Sequence, residues 1–232
     1  MICSGMGPYP INWKPDDHLV RSSLFSYQCG RCCRCCKDKL IQISPYEIAV
    51  LAKHLGISTT VFITNYMDGV HLRHQGEGDC IFFNEQGCGV HLTRPVVCRL
   101  YPLGREKTPD GEESFVHHPP HPQTEGTYGE VGTVADWLEQ QNVGPMIAGR
   151  DSYVALFRKL FAEIAKREGD PRGIFEWPDG AKSMTMPDLL DIDAMLMAEC
   201  PNEILVTIEE RVARHQEILR KIFGLNPDKS DP

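Results

Sequence analysis

Hydrophobic positions along the chain fall into two regimes. In the first half they come in short bursts broken by Gly, Pro and Cys. Beyond Thr133 they recur at helical spacing. Ser44-Pro45 opens the first predicted helix, with Ser44 as the cap and Pro45 in the first turn. Ile48, Leu51, Ala52 and Leu55 give it one apolar face, and Gly56 ends it. Ser58 caps a second short helix, whose Val61, Phe62 and Tyr66 are expected to pack on the first. Lys39–Ile43 alternates as a short strand would. Residues 79–92 predict a hairpin, with arms Cys80–Phe83 and Cys88–Leu92 around the turn Asn84–Gly87. Arg94–Pro102 is a proline-bounded segment, and 105–130 reads as a long loop around a strand at Ser114–His117. Helical stripes follow at Val154, Phe157, Phe161 and Ile164, at Ile204, Leu205, Ile208 and Val212, and at Leu219, Ile222 and Phe223. Pro187 begins a further helix, and Asp188, Asp191 and Asp193 near its start suit the helix dipole. Pro8, Pro10 and Pro15 mark an irregular lead-in, and residues 226–232 read as frayed.

These elements predict an α+β, mostly helical protein. A small cysteine-rich module over 25–105 carries short helices and a β-hairpin. A helical region over 130–225 packs on that module or on a partner. The length of 232 residues is enough to bury a core without disulfide staples, and 41% hydrophobic with 24% charged residues is ordinary for a globular chain. A formal charge of −8 argues against general nucleic-acid binding, which needs a basic face. No apolar run reaches the length of a membrane span, about 18 residues or more, so no membrane is expected as a partner. Met1–Pro10 lacks a basic region followed by an apolar core, so the expected compartment is the reducing cytoplasm.

Against that background the cysteines stand out. There are ten, and eight of them lie between Cys29 and Cys98. In a reducing compartment such a cluster points to metal or redox chemistry before disulfides. Cys29-Gly-Arg-Cys32-Cys33-Arg-Cys35-Cys36 contains C-x2-C-x2-C-C at 29, 32, 35 and 36. A two-residue spacer lets a tight loop aim both sulfurs at one centre, and repeating it wraps the loop around a metal. The same step holds three irons of a [4Fe–4S] cube in bacterial ferredoxins, and it also suits tetrahedral zinc. Cys80, Cys88 and Cys98 supply a second group outside any helical core pattern. Arg31, Arg34, Lys37, Arg94 and Arg99 lie close in sequence, where they offset thiolate charge. Arg94 and Arg99 are expected to donate to sulfur or to the backbone.

Taken together, the C-x2-C-x2-CC run, the helix after Pro45, Cys80-Ile-Phe-Phe83, Gly87-Cys88-Gly-Val-His91 and Arg94-Pro-Val-Val-Cys98-Arg-Leu-Tyr-Pro102 resemble the YkgJ-type cysteine-cluster family, described as zinc- or iron-chelating. The resemblance spans residues 25–105 and implies Cys29, Cys32, Cys35, Cys36, Cys80, Cys88 and Cys98 as metal ligands. In the family pattern the residue after the second motif cysteine is usually Gly. Here it is Cys33, which leaves open whether Cys33 substitutes as a ligand. Flagellin lysine N-methylases carry a similar domain, so the resemblance also allows an enzyme that binds S-adenosylmethionine.

Seven cysteines exceed one four-coordinate zinc. Two zincs would need eight ligands, with His91 as a candidate for the eighth. The consecutive C-x2-C-x2-C loop favours a [4Fe–4S] cluster, with zinc the alternative. Cys29, Cys33 and Cys36 also match the C-x3-C-x2-C of radical S-adenosylmethionine enzymes, but the chain lacks the repeated strand–helix units of a barrel. His117, His118 and His121 read as a proline-stiffened surface loop, and His71 and His74 as an exposed connection. Cys200 reads as structural and Cys3 as incidental. The expected function is a metal-binding protein of structural, redox or metal-handling role. The alternatives are a protein-lysine N-methyltransferase-like enzyme and a zinc-stabilised module for an unknown protein partner.

Overall fold

The computed structural model describes residues 18–108, 110–119, 121, 123–129, 131–168, 175, 176 and 183–225. Cys3, the prolines of the lead-in and residues 226–232 lie outside them. In chain order the strands begin with β1 (His18–Leu19) and β2 (Tyr27–Gln28). Helices α1 (Pro45–Leu55) and α2 (Thr59–Tyr66) follow, then β3 (Met67–Asp68) and β4 (His71–Leu72). Next come β5 (His74–Gln75), β6 (Asp79–Cys80), β7 (Phe83–Asn84), β8 (Gly87–Cys88) and α3 (Val96–Leu100). Then come β9 (Leu103–Lys107), β10 (Glu113–His117), β11 (Thr127–Tyr128), α4 (Val134–Gln140) and α5 (Gly144–Glu168). The chain closes with β12 (Phe175–Glu176), β13 (Ser183–Met184), α6 (Met186–Leu190), α7 (Ile192–Glu199) and α8 (Ile208–Ile222). Helices with small antiparallel sheets make the class α+β, as the sequence pattern predicts. Among the described residues no single helix is long and apolar enough to cross a membrane.

By contact the chain forms two units, and each is interrupted in sequence. Unit one is 1–41 with 74–145, and unit two is 42–73 with 146–232. The segment 42–73, inside the cysteine-rich span drawn from the sequence, therefore belongs by contact to unit two.

Unit one is built on the antiparallel sheet β1-β10-β9, in which Phe115 faces Arg105 and Val116 faces Gly104. Strand β9 falls at the start of the expected loop. Its Gly-Arg-Glu-Lys sequence has no apolar alternation, because it is an edge strand. Strand β2 pairs with β11, setting Tyr27 opposite Tyr128. Phe25 packs edge-on against Trp137, with ring centroids 5.0 Å apart, and Trp137 Nε1 donates to the Tyr27 carbonyl at 2.9 Å. Phe25, Tyr27 and Trp137 are buried, as are Phe115, Leu103 and Val134. Thr133 caps α4 through a capping box with Asp136. The expected hairpin over 79–92 is shorter than predicted: β7 and β8 pair only over Phe83–Cys88 and Asn84–Gly87. Cys80 instead pairs with His74 in the preceding hairpin, β5–β6.

Unit two is helical. Ser44 and Glu47 form the capping box of α1, and Gly56 closes it in the left-handed conformation at φ 69°. Glu47 is fully buried and is held by the Ser44 amide at 2.8 Å and by Arg150 at 2.9 Å, so this carboxylate is paired rather than stranded. Thr59, first in α2, donates its hydroxyl to Asp191 at 2.7 Å, while its amide reaches Asp193 at 2.8 Å. The acidic residues read as dipole partners thus cap two helix starts at once. On α5 the buried stripe is Tyr153, Leu156, Leu160 and Ile164, while Val154 is 38% exposed. Ile164 is buried as predicted, and the rest of the stripe lies one residue before the predicted positions, with Phe157 and Phe161 stacked on each other at the rim of a groove. Ile204 is 90% exposed and precedes α8, whose buried face is Val212, His215, Ile218, Leu219 and Ile222. Over Lys39–Ile43 no strand forms; Gln42 makes a single bridge to His71.

Candidate metal centre

Every cysteine of the two sequence groups lies in unit one. The first group hangs from the end of β2 on a tightly coiled loop. Arg31, Cys33 and Asp38 all have left-handed φ values, of 55°, 56° and 54°, and a 3-10 turn covers Arg34–Cys36. Gly30 lets this loop lie against the backbone of Glu125; a Cβ there would stand 2.6 Å from the Glu125 carbonyl oxygen. The Glu125 amide in turn donates to Cys32 Sγ at 3.4 Å. Cys80 and Cys88 come from the two successive hairpins, and Cys98 from the middle of α3.

Three thiols share one local device. The Arg31 amide donates to Cys29 Sγ at 3.4 Å, the Phe82 amide donates to Cys80, and the Val90 amide donates to Cys88. In each case an N–H two residues beyond the cysteine points at its sulfur. Such a donor fixes the direction of the sulfur, and at Cys80 and Cys88 it opposes the rise that burial causes.

The thiols also sense one another. Cys36 hydrogen-bonds to Cys35, and that bond, helped by the charges of Lys39 and Arg94, brings the Cys35 thiol down to about 7. Donation to Cys35 and burial push the Cys36 thiol up, and Cys33 and Cys98 add to the rise. Burial raises Cys80 and Cys88, with Cys35 an added repulsion for both. Cys29 acts on Cys88, and Cys32 acts on Cys33. Pairwise charge effects thus run between the two sequence groups of cysteines. Among the described residues, no three His, Cys, Asp or Glu side chains already stand at metal-holding spacing. The donor set fits a zinc or iron centre in kind: soft sulfur, backbone N–H donors and nearby cations.

The arginines act on the backbone. Arg94 donates to the His91 carbonyl at 2.6 Å and to Gln141 Oε1 at 2.7 Å. Arg99 donates to the carbonyls of Arg94 at 3.0 Å, Gln141 at 2.9 Å and Leu92. Together they fasten the segment bearing Cys98 to the end of α4. His91 sits among guanidinium groups. Burial and the charges of Arg94, Arg31 and Arg99 bring it down to about 4, and its Nε2 is buried without a hydrogen bond.

His117, expected in a surface loop, is instead the buried last residue of β10, with Nε2 2.7 Å from the Tyr128 hydroxyl. His118 and His121 are exposed. His74 is exposed on β5, with Nε2 3.0 Å from the Lys39 carbonyl. Cys200 is buried at the end of α7 and stands apart in unit two. The contribution of Glu125 escaped the sequence reading, since a backbone amide carries no side-chain signal.

Residues 28–120 match the family model CxxCxxCC, described as "Putative zinc- or iron-chelating domain". Residues 28–120 are thus similar to that cysteine-cluster family, and its description supports metal binding in general. The description names neither methyl transfer nor a protein partner, so the two alternative readings gain no support. Comparison with the curated proteins and with the solved structures gave no match.

Proposed function

We propose that unit one holds a thiolate-bound metal centre, an iron–sulfur cluster or zinc, through Cys29, Cys32, Cys35, Cys36, Cys80, Cys88 and Cys98. The observation that carries this reading is the repeated amide-to-sulfur hydrogen bond at Cys29, Cys80 and Cys88. A packing cysteine needs no such donor. A thiolate ligand does, because the N–H offsets charge and holds the sulfur in direction.

A bound iron–sulfur cluster would supply one-electron chemistry, and zinc a structural cross-link. The protein's share is to keep the Cys35 sulfur ionised. Lys39 and Arg94 favour the Cys35 thiolate, and the Cys36 thiol already donates to it. The consecutive C-x2-C-x2-C loop inclines the reading to the cluster.

Metal, acid-labile sulfide and the visible spectrum, measured on anaerobically purified protein, test the reading. Stoichiometric iron with sulfide, or zinc without it, is expected, and Cys35→Ser and Cys80→Ser should each lose most of the metal. A protein that folds without metal and acquires neither ion on reconstitution would refute it.

A further inference from the structure

We infer that Cys33 is an eighth metal-binding thiol in this chain, and that Cys33, rather than His91, completes the donor set. This rests on the thiolate-centre reading above.

Cys33 has φ 56° and ψ 12°, in the left-handed region. Glycine adopts that region freely, whereas a side chain there crowds the following carbonyl. Cysteine gains nothing from this backbone, so what it contributes must come from its sulfur. Cys33 opens the 3-10 turn that carries Cys35 and Cys36, and its carbonyl accepts the Cys36 amide at 2.9 Å. Its thiol donates to the Arg31 carbonyl at 3.6 Å and hydrogen-bonds with Cys36, and Cys88, Cys35 and Cys32 are further neighbours. It also lies over Gly87, where a Cβ would stand 3.6 Å from the Cys33 sulfur. The Cys33 sulfur is thus within ordinary contact distance of position 87, next in sequence to Cys88. Cys33 therefore joins both sequence groups of cysteines.

His91 has the opposite surroundings. Arg94 approaches its Nδ1 at 3.4 Å, and Arg31 and Arg99 add positive charge. A second cation at this ring would meet three guanidinium groups, whereas one at Cys33 would meet thiolates. The buried, unbonded His91 Nε2 is the one feature in its favour, so the experiment includes it. Each thiol that coordinates releases its proton to solvent, so the exchange balances without an oxidant or reductant.

The test begins with the anaerobically isolated full-length protein, alkylated with iodoacetamide before and after metal removal by a chelator. Modification at each cysteine is read by peptide mass spectrometry. Cys33 is expected to be protected in the loaded protein and to react at least roughly tenfold faster after stripping. Cys200 should stay unreactive in both states, which separates metal release from unfolding. Cys33→Gly, which suits the left-handed backbone, should be the more heat-stable metal-free protein and yet hold metal at least roughly tenfold more weakly. Cys33→Ser should bind as weakly without gaining stability. His91→Gln should keep wild-type metal content. Equal alkylation of Cys33 with and without metal, or full metal content and affinity in Cys33→Gly, would overturn the assignment while leaving the metal centre standing. Loss of metal in His91→Gln but not in Cys33→Gly would hand the eighth position to His91. A wild-type protein that holds no metal would refute the centre itself.

Discussion

His215 shows how a single buried side chain writes a pH dependence into unit two. It is fully buried on α8, and its Nδ1 lies 2.8 Å from the Tyr153 hydroxyl. Burial brings its pKa down from 6.5 to about 3, so the folded ring stays neutral. Burial also keeps the Tyr153 phenol protonated. The unfolded chain takes up a proton near pH 6.5, while the folded chain refuses it until near pH 3. The stabilisation is therefore complete above the unfolded value and is lost as pH falls through this window. Between pH 7 and pH 4.5 the loss is on the order of 2–3 kcal/mol. Amide exchange in α5 and α8 should speed up over that range, and His215→Gln should flatten the dependence. If the variant keeps the wild-type slope, another group carries the acid limb.

At the scale of elements, the segment from His91 to Leu100 depends on two arginines more than on its own helix. Helix α3 has five residues and no side-chain cap, too little to stand alone. Arg99 ties it down through three carbonyls, so Arg99→Ala should loosen Cys98. The expected cost is about 2 kcal/mol, seen as roughly thirtyfold faster amide exchange over 91–100. Arg99→Lys should recover little, because an ammonium cannot span three acceptors as the guanidinium fork does. Unchanged exchange in Arg99→Ala would mean that packing of Val96 and Leu100 suffices. The same contrast explains what the sequence could reveal. Caps are local chemistry, so Ser44, Gly56 and Ser58 were legible to the residue. Edge strand β9 carried no hydrophobic signal, and of the α5 stripe only Ile164 was placed correctly, because a helix lining a groove also shows apolar side chains there. Cysteine spacing announced the thiol cluster. Its N–H donors did not show, since every non-proline residue carries one, and Glu125 lies 93 residues from Cys32.

For the whole molecule, the order of segments raises a question that metal removal can answer. The two cysteine groups flank segment 42–73, whose helices α1 and α2 belong to unit two. A centre joining Cys29–Cys36 to Cys80–Cys98 would therefore clasp both ends of that segment. If the clasp alone held those ends together, stripping the metal would raise the chain entropy of 42–73 and loosen α1 and α2. Other bonds already hold them. The Asp38 amide donates to the Gly78 carbonyl at 2.9 Å, Lys37 bridges Asp79, and His74 Nε2 lies 3.0 Å from the Lys39 carbonyl. Unit two also has its own apolar core in Ile48, Leu51, Phe62, Leu156, Leu160 and Leu219, and no proposed ligand. Metal binding stabilises the state that holds the metal, so its removal should be felt where the ligands are. Chelation should raise amide exchange over 29–36 and 80–98 at least roughly tenfold and leave α1, α5 and α8 within error. Equal acceleration in both units would show that the centre is the clasp that closes segment 42–73, and that the bonds at Asp38, Lys37 and His74 cannot hold its ends without it.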